Sequence, residues 1–239
     1  MNEILAQWNH AAERYAAEQE SSVNAELSKA EVRKRFTGLE GKTVLDAGCG
    51  YGVFTEYFRE IGADAAGCDG SAAMLKIAEK KYPKCSFHLT DLQKKLPYSD
   101  GQFDLVFCNQ VLMDIPDIRT VLQEFSRLLK ENGILYLGII HPAVYPGDWI
   151  SNQNNIKSAK IIRDYTDIYQ IEHEFCGKTT HFHRPVSVYF NLASEKGFHL
   201  THMSEPGAYD RNANISKLPL FLFAEFEKYI PGNPRGSEV

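Results

Sequence analysis

The stretch Thr43-Val44-Leu45-Asp46-Ala47-Gly48-Cys49-Gly50-Tyr51-Gly52 constrains this chain more than any other. Its apolar start reads as the end of a buried strand. An acid follows, then glycine at every second position. Next comes Val53-Phe54-Thr55-Glu56-Tyr57-Phe58, whose apolar spacing suits a helix. A strand, a glycine turn and a helix bring backbone N–H groups close to a ligand, because glycine has no Cβ and tolerates positive φ. The spacing is G-x-G-x-G, and Val53 stands where the dinucleotide pattern G-x-G-x-x-G needs its last glycine. There is no Gly-Lys-Ser/Thr of the kind that cradles a triphosphate. Taken alone, the stretch is also compatible with a tight turn that holds no ligand.

Downstream the chain alternates short apolar runs with helical patterns. Strands are expected at 43–47, 63–69, 85–89, 103–108 and 134–140, and helices at 52–61, 72–80 and 118–130, the last stopped by Asn132-Gly133. Such βα alternation argues for a doubly wound α/β fold with a parallel sheet, whose ligands bind outside the C-terminal strand ends. Asp46, Asp69, Asp91, Asn109 and His141 all fall near those ends. Ahead of the sheet, 2–36 reads as two helices broken at Ser21-Ser22, with no β-pattern. Residues 141–184 lack a repeated βα pattern but carry Tyr145, Trp149, Tyr165, Tyr169, Phe175 and Phe182. Short antiparallel strands are expected within 160–182. A helix at 185–196, strands at 198–203 and 218–223 and a frayed tail at 231–239 complete the reading.

Asp69 lies 17 residues beyond Gly52 at the end of the second strand. Its two oxygens are paired acceptors and suit the two hydroxyls of a ribose. A nicotinamide enzyme would want the same acid, so Asp69 does not choose between cofactors. The plainer readings are a turn acid capping the next helix for Asp69 and a solvated turn acid for Asp91.

Asp46-Ala47-Gly48-Cys49-Gly50-Tyr51-Gly52, Thr90-Asp91-Leu92 and Lys130-Glu131-Asn132-Gly133-Ile134-Leu135 together resemble motifs of class I S-adenosylmethionine-dependent methyltransferases, of the type 11/25 small-molecule kind. The resemblance covers about 40–140 and implies a mostly parallel, seven-stranded Rossmann-like sheet with helices on both faces and an antiparallel last strand. It implies S-adenosyl-L-methionine as cofactor and S-adenosyl-L-homocysteine as product. On this likeness Asp91 accepts from the adenine amino group, and Leu92 offers its amide and packs on the ring. Asp46 orders the turn and reaches the cofactor's amino group through water. The backbone of Gly48, Cys49 and Gly50 lines the methionine side, Gly70 adjoins Asp69, and Asn109 lies beside the reactive methyl. Tyr15, from a leading helical segment, touches the methionine end, unless it only packs its helix down. Met113 and Asp114 stand where the family often has histidines, so no general base carries over from there. His141 is the candidate base, facing the pocket from the end of the fifth strand, against a structural role for the same ring. His173, His181 and His183 hint at a metal but read better as pocket-wall histidines, so no metal is expected.

The whole of 1–239 reads as one methyltransferase domain: a helical lid at 1–38, a cofactor-binding core at 40–140, a substrate-side insertion at 141–184 and a C-terminal helix and strands at 185–230. A net charge of −5 weighs against nucleic acid. No apolar run is long enough to span a bilayer, and five cysteines without C-x-x-C spacing suit a reducing cytoplasm. The expected activity is methyl transfer to O or N of a small or medium organic substrate, by a monomer or homodimer. An RNA-modifying enzyme of the same fold and a non-catalytic cofactor-binding protein are the alternatives.

Overall fold

A computed structural model describes residues 3–145, 147–153, 157–174, 176–209 and 215–229. Phe175 and the tail at 231–239 lie outside the described residues. Two helices lead, α1 (Glu3–Ser21) and α2 (Val23–Arg35), separated at Ser22, whose Oγ accepts from the Ala25 N–H at 3.3 Å. Then follow β1 (Thr43–Ala47), α3 (Val53–Glu60), β2 (Asp64–Asp69), α4 (Ala72–Lys81), β3 (Ser86–Leu89) and β4 (Phe103–Asn109). A single 3-10 turn at Leu112–Asp114 leads into α5 (Ile118–Leu128) and β5 (Leu129–Ile140). Beyond them lie β6 (Asp148–Ser151), β7 (Lys157–Ile161), β8 (Tyr169–His173), β9 (Thr179–His183), α6 (Val186–Glu195), β10 (Phe198–Ser204), β11 (Gly207–Tyr209), β12 (Ile215–Pro219) and β13 (Phe221–Lys228).

Seven strands form one sheet in the order β10-β13-β5-β4-β1-β2-β3. The pairs among β3, β2, β1, β4 and β5 are parallel, and β13 runs antiparallel to both β5 and β10. Period-two alternation explains why this sheet is covered on both sides. Leu45, Ala47, Val106, Cys108, Leu135 and Leu137 enter one core, with Val121, Leu122 and Phe125 of α5 and Tyr189 and Leu192 of α6. Their neighbours Val44, Leu105, Phe107 and Tyr136 enter the other, with Leu27 and Val32 of α2 and Phe58 of α3.

Two expected boundaries are corrected. Helix α5 ends at Leu128 rather than at 130, and Asn132-Gly133 sits inside β5. Buried Leu129 already pairs with Phe103, and the ladder shifts register before Leu105. Asn132 takes a φ of +59° there, so the dipeptide belongs to an irregularity in a strand and not to a helix stop. The last strand starts at Phe221 and runs on to Lys228, while Ile215–Pro219 pairs with Gly207–Tyr209. Glu225 lies within the part of the strand beyond the expected end at 223. Its buried side chain pairs with the half-exposed Arg35 of α2, which offsets part of the cost of hiding the charge.

The segment after β5 makes two hairpin-like pairs, β6 with β7 and β8 with β9. Helix α1 is tied to both sides of the cleft below it. Asn9 Oδ1 accepts from Ser71 Oγ at 3.0 Å and from the Ala73 N–H at 2.9 Å, at the start of α4. Gln7 exchanges two hydrogen bonds with Thr180 of β9, at 3.0 and 3.2 Å.

Candidate active site

At the C-terminal ends of β1 to β4 lies a cleft of about 1110 Å³, its open mouth included. This is the switch point of the sheet, where the chain leaves β1 toward β2 on one side and β4 lies on the other. Tyr15, Asp46, Gly48, Cys49, Gly50, Asp69, Gly70, Asp91, Leu92 and Asn109 all line it.

The three turn glycines sit at φ +79°, +52° and +84°, but for different reasons. A Cβ on Gly48 would lie 2.3 Å from Val111 Cγ2, and one on Gly52 would lie 2.7 Å from Phe87 Cζ. A Cβ on Gly50 would meet no protein atom within 4 Å. Gly48 and Gly52 are therefore required by packing, while Gly50 borders the cleft at a point where no protein atom stands in front of its backbone. Gly48 and Cys49 donate N–H to Cys68 O at 2.8 and 3.0 Å, which straps the turn to β2.

Asp69 accepts from the Gly50 N–H at 2.9 Å through Oδ2 and from the Ser71 N–H at 2.7 Å through Oδ1. It thus organises two turns, and each oxygen keeps a second acceptor direction. Burial raises its pKa above the ordinary carboxylate value, against the pull of those backbone donors. Asp91 Oδ1 accepts from the Gln93 N–H at 3.0 Å, which leaves Leu92 between them, buried against the main core. Asn109 donates from Nδ2 to Ser28 Oγ of α2 at 3.3 Å, and its Oδ1 is buried without a hydrogen bond. Tyr15 stands edge-on to Trp8, with ring centroids 5.3 Å apart. Leu5 of the same helix lies where a Cβ on Gly70 would be, 2.4 Å away.

Asp46 is 3% exposed and accepts from Thr55 Oγ1 at 2.6 Å. Burial raises its pKa to about 7, with Asp69 adding in the same direction. In the unfolded chain the same group titrates near ~3.9. The folded state therefore binds more protons between those values, and stability falls as pH rises from about 4 to about 7, then levels off. Asp46→Asn keeps an acceptor for Thr55 and removes that slope. It is expected to unfold like the wild type at pH ~4 and to be more stable at pH ~8, by on the order of 2–4 kcal/mol. Urea unfolding at the two pH values checks this.

Cys49 and Cys108 are buried, and burial beside Asp46 pushes both thiols well above their usual pKa, which disables them as nucleophiles. His141 does not face the cleft as expected. It is buried, with Nε2 at 2.6 Å from Glu205 Oε1 and Nδ1 accepting from the Ala143 N–H at 3.2 Å. Both nitrogens are used locally, because the chain turns sharply after β5 and folds the ring back on the loop. His183 likewise bonds to Tyr165 O at 3.0 Å. Among the described residues, no group of three or more His, Cys, Asp or Glu is placed to hold a metal ion. No described helix is long and apolar enough to cross a membrane.

Sequence reasoning missed a second chamber that adjoins the cleft. Trp8, Tyr15, Gln110 and Asp114 line both, and Met113, Tyr145, His173, Cys176, His181 and Phe221 complete much of the chamber wall. The clues were present as the aromatic content of 141–184 and the acid at 114. Only the docking of β9 against α1 and against the 3-10 turn brings them together.

Residues 45–137 match the family model of the methyltransferase domain. Over 102 residues the chain is 36% identical to the malonyl-[acyl-carrier protein] O-methyltransferase of Hamiltonella defensa, covering 42% of this chain and 39% of that one. Over 125 residues it is 31% identical to the ubiquinone biosynthesis O-methyltransferase of Glaesserella parasuis, covering 48% of this chain and 52% of that one. The chain thus spans about half the length, or less, of these curated relatives. A solved structure from Listeria monocytogenes, described as a candidate S-adenosylmethionine dependent methyltransferase, superposes with a TM-score of 0.76 at 23% identity, over 86% of this chain and all of that one. At that identity the match is one of fold. The core of the chain thus matches the methyltransferase-domain family, and its fold is the one shared with that solved structure.

Proposed function

We propose that this protein moves a methyl group from S-adenosyl-L-methionine to an oxygen or nitrogen of a small or medium organic substrate. The supporting observation is the junction itself: a cleft bordered by bare Gly50 backbone and three strand-end acids opens onto an aromatic-walled chamber. The residues present suit an adenosyl-sulfonium molecule. Asp69 has acceptor capacity left for two ribose hydroxyls, Asp91 and the Leu92 amide suit an adenine edge, and the orphaned Asn109 Oδ1 awaits a donor. When bound, that molecule supplies a methyl group already activated by positively charged sulfur. The chain's own task is to align the acceptor and exclude water. Helices α1 and α2 serve as a lid, held by Asn9 and Gln7. The curated relatives are named as O-methyltransferases, which favours oxygen. Five free thiols fit a cytoplasmic location.

A label-transfer screen tests this reading. Methyl-labelled S-adenosylmethionine is incubated with the protein and either a metabolite extract or bulk tRNA. Label is expected in the small-molecule fraction. Label in tRNA alone would move the assignment to RNA, and no transfer despite cofactor binding would make the protein a non-catalytic binder.

A further inference from the structure

Buried polar atoms without partners gather at the second chamber. Among the described residues, Asp114 Oδ1, His181 Nδ1, Tyr145 Oη and Asn24 Oδ1 are buried side-chain atoms that make no hydrogen bond, and all four residues line it. Each such orphan loses its hydration without gaining a partner. Native interiors tolerate few of them, so four at one cavity point to a bound molecule that completes them.

Asp114 lines both cleft and chamber, and among the described residues it is the only carboxylate that does so. Its 3-10 turn is clamped from outside the cavity. The buried Arg184 guanidinium donates from Nη1 to Leu112 O at 3.2 Å, and from Nη2 to Pro116 O at 2.8 Å and to Ile115 O. His181 Nε2 stands 3.3 Å from Asp114 Oδ1, close but outside hydrogen-bond geometry. The rings of His173 and His181 lie parallel, 5.5 Å apart, and the Tyr145 ring stands 5.8 and 5.6 Å from them, tilted by 28° and 29°. Trp8 and Tyr15 add two further rings. Aromatic walls with a few convergent polar groups suit a flat aromatic ligand.

We infer that the chamber takes a planar aromatic molecule whose reacting group is a ring O–H or N–H, and that Asp114 is the catalytic proton acceptor, with His181 positioning it. This rests on the methyl-transfer reading given above. In the step, a lone pair of the acceptor oxygen or nitrogen forms the new bond to the methyl carbon. The carbon–sulfur bond breaks, and its electron pair goes to sulfur and cancels the positive charge. The acceptor's proton passes to Asp114. A sulfonium and a carboxylate become a thioether and a carboxylic acid, so charge balances. Burial, with Asp69 nearby, raises the pKa of Asp114 above its usual value, against the pull of the Trp8 contact, which makes it a stronger base than an exposed carboxylate. Burial beside His173 pushes His181 down to about 4, which keeps its imidazole neutral beside the acid.

The test compares 4-nitrophenol with 4-nitroanisole, which differ by the transferable proton, on the full chain saturated with S-adenosylhomocysteine. Benzimidazole serves as the N–H probe and cyclohexanol as the non-aromatic control. The wild type is expected to prefer 4-nitrophenol over 4-nitroanisole at least tenfold and to bind cyclohexanol at least tenfold more weakly than 4-nitrophenol. Asp114→Asn should abolish the preference for the protonated ring, whereas a merely structural role would weaken both rings alike. His181→Gln, which changes a residue lining the chamber but not the cleft, should narrow the preference while S-adenosylhomocysteine affinity stays within twofold. If Asp114→Asn does not fold, His181→Gln carries the test. Failure of the wild type to bind S-adenosylhomocysteine would overturn the underlying methyl-transfer reading. Cofactor binding with no binding of 4-nitrophenol or benzimidazole, an undiminished preference in the variants, or cyclohexanol binding as tightly as 4-nitrophenol, would overturn the inference made here.

Discussion

Gly48→Ala is expected to lower stability by about 2–5 kcal/mol and to weaken S-adenosylhomocysteine binding at least tenfold. The first part of that cost is conformational. Gly48 sits at φ +79°, where a side chain strains the backbone by about 1–2 kcal/mol. The second part is steric. The new Cβ would lie 2.3 Å from Val111 Cγ2, well inside contact distance, so the loop after β4 must move. That loop carries Gln110 and leads to Asp114, both on the cleft wall, so the displacement reaches the binding surface. Gly50→Ala provides the contrast. Its Cβ meets no protein atom, so only the strain of φ +52° remains, about 1 kcal/mol, while a side chain now borders the cleft. Gly50→Ala should therefore fold nearly as well as the wild type and still bind poorly. Urea unfolding and calorimetry on the pair separate packing from binding.

Asp69→Ala is expected to weaken S-adenosylhomocysteine at least tenfold, about 1.4 kcal/mol or more, as for a lost charge-assisted hydrogen bond. The carboxylate acts twice. It holds the glycine turn to the start of α4 through the Gly50 and Ser71 amides, and it keeps acceptor capacity for the ligand. An unchanged affinity in a folded Asp69→Ala variant would reduce Asp69 to a turn-capping acid. Loss of fold without loss of affinity per folded molecule would say the same.

What could be read from the residues alone follows from how local the signals are. Strands β1, β2, β4 and their following helices announce themselves by buried runs, glycine turns and caps, and their expected limits match the structure to within about two residues. The antiparallel last strand was expected only from the family resemblance; beyond its expected end it continues through buried Glu225, whose partner Arg35 is 190 positions away. The cofactor-side candidates lie on consecutive strand ends, so parallel topology alone carries them to one cleft. The chamber is different in kind. Asp114, Tyr145, His173 and His181 come from a 3-10 turn, a loop and two hairpin strands, and no periodicity links them. His141 misled because a histidine at a strand end resembles a site residue until the chain's next turn is known. Glu205, 64 residues away, claims its outer nitrogen.

Isothermal titration calorimetry of the unmodified protein with S-adenosylhomocysteine and with NAD, run side by side, bears most directly on the central claim. Strand-end acids and bare Gly50 backbone are held to form a site for an adenosyl-sulfonium molecule and its product. Binding of S-adenosylhomocysteine with no measurable binding of NAD is the expected result. Binding of NAD, or of neither molecule by the folded protein, would contradict it.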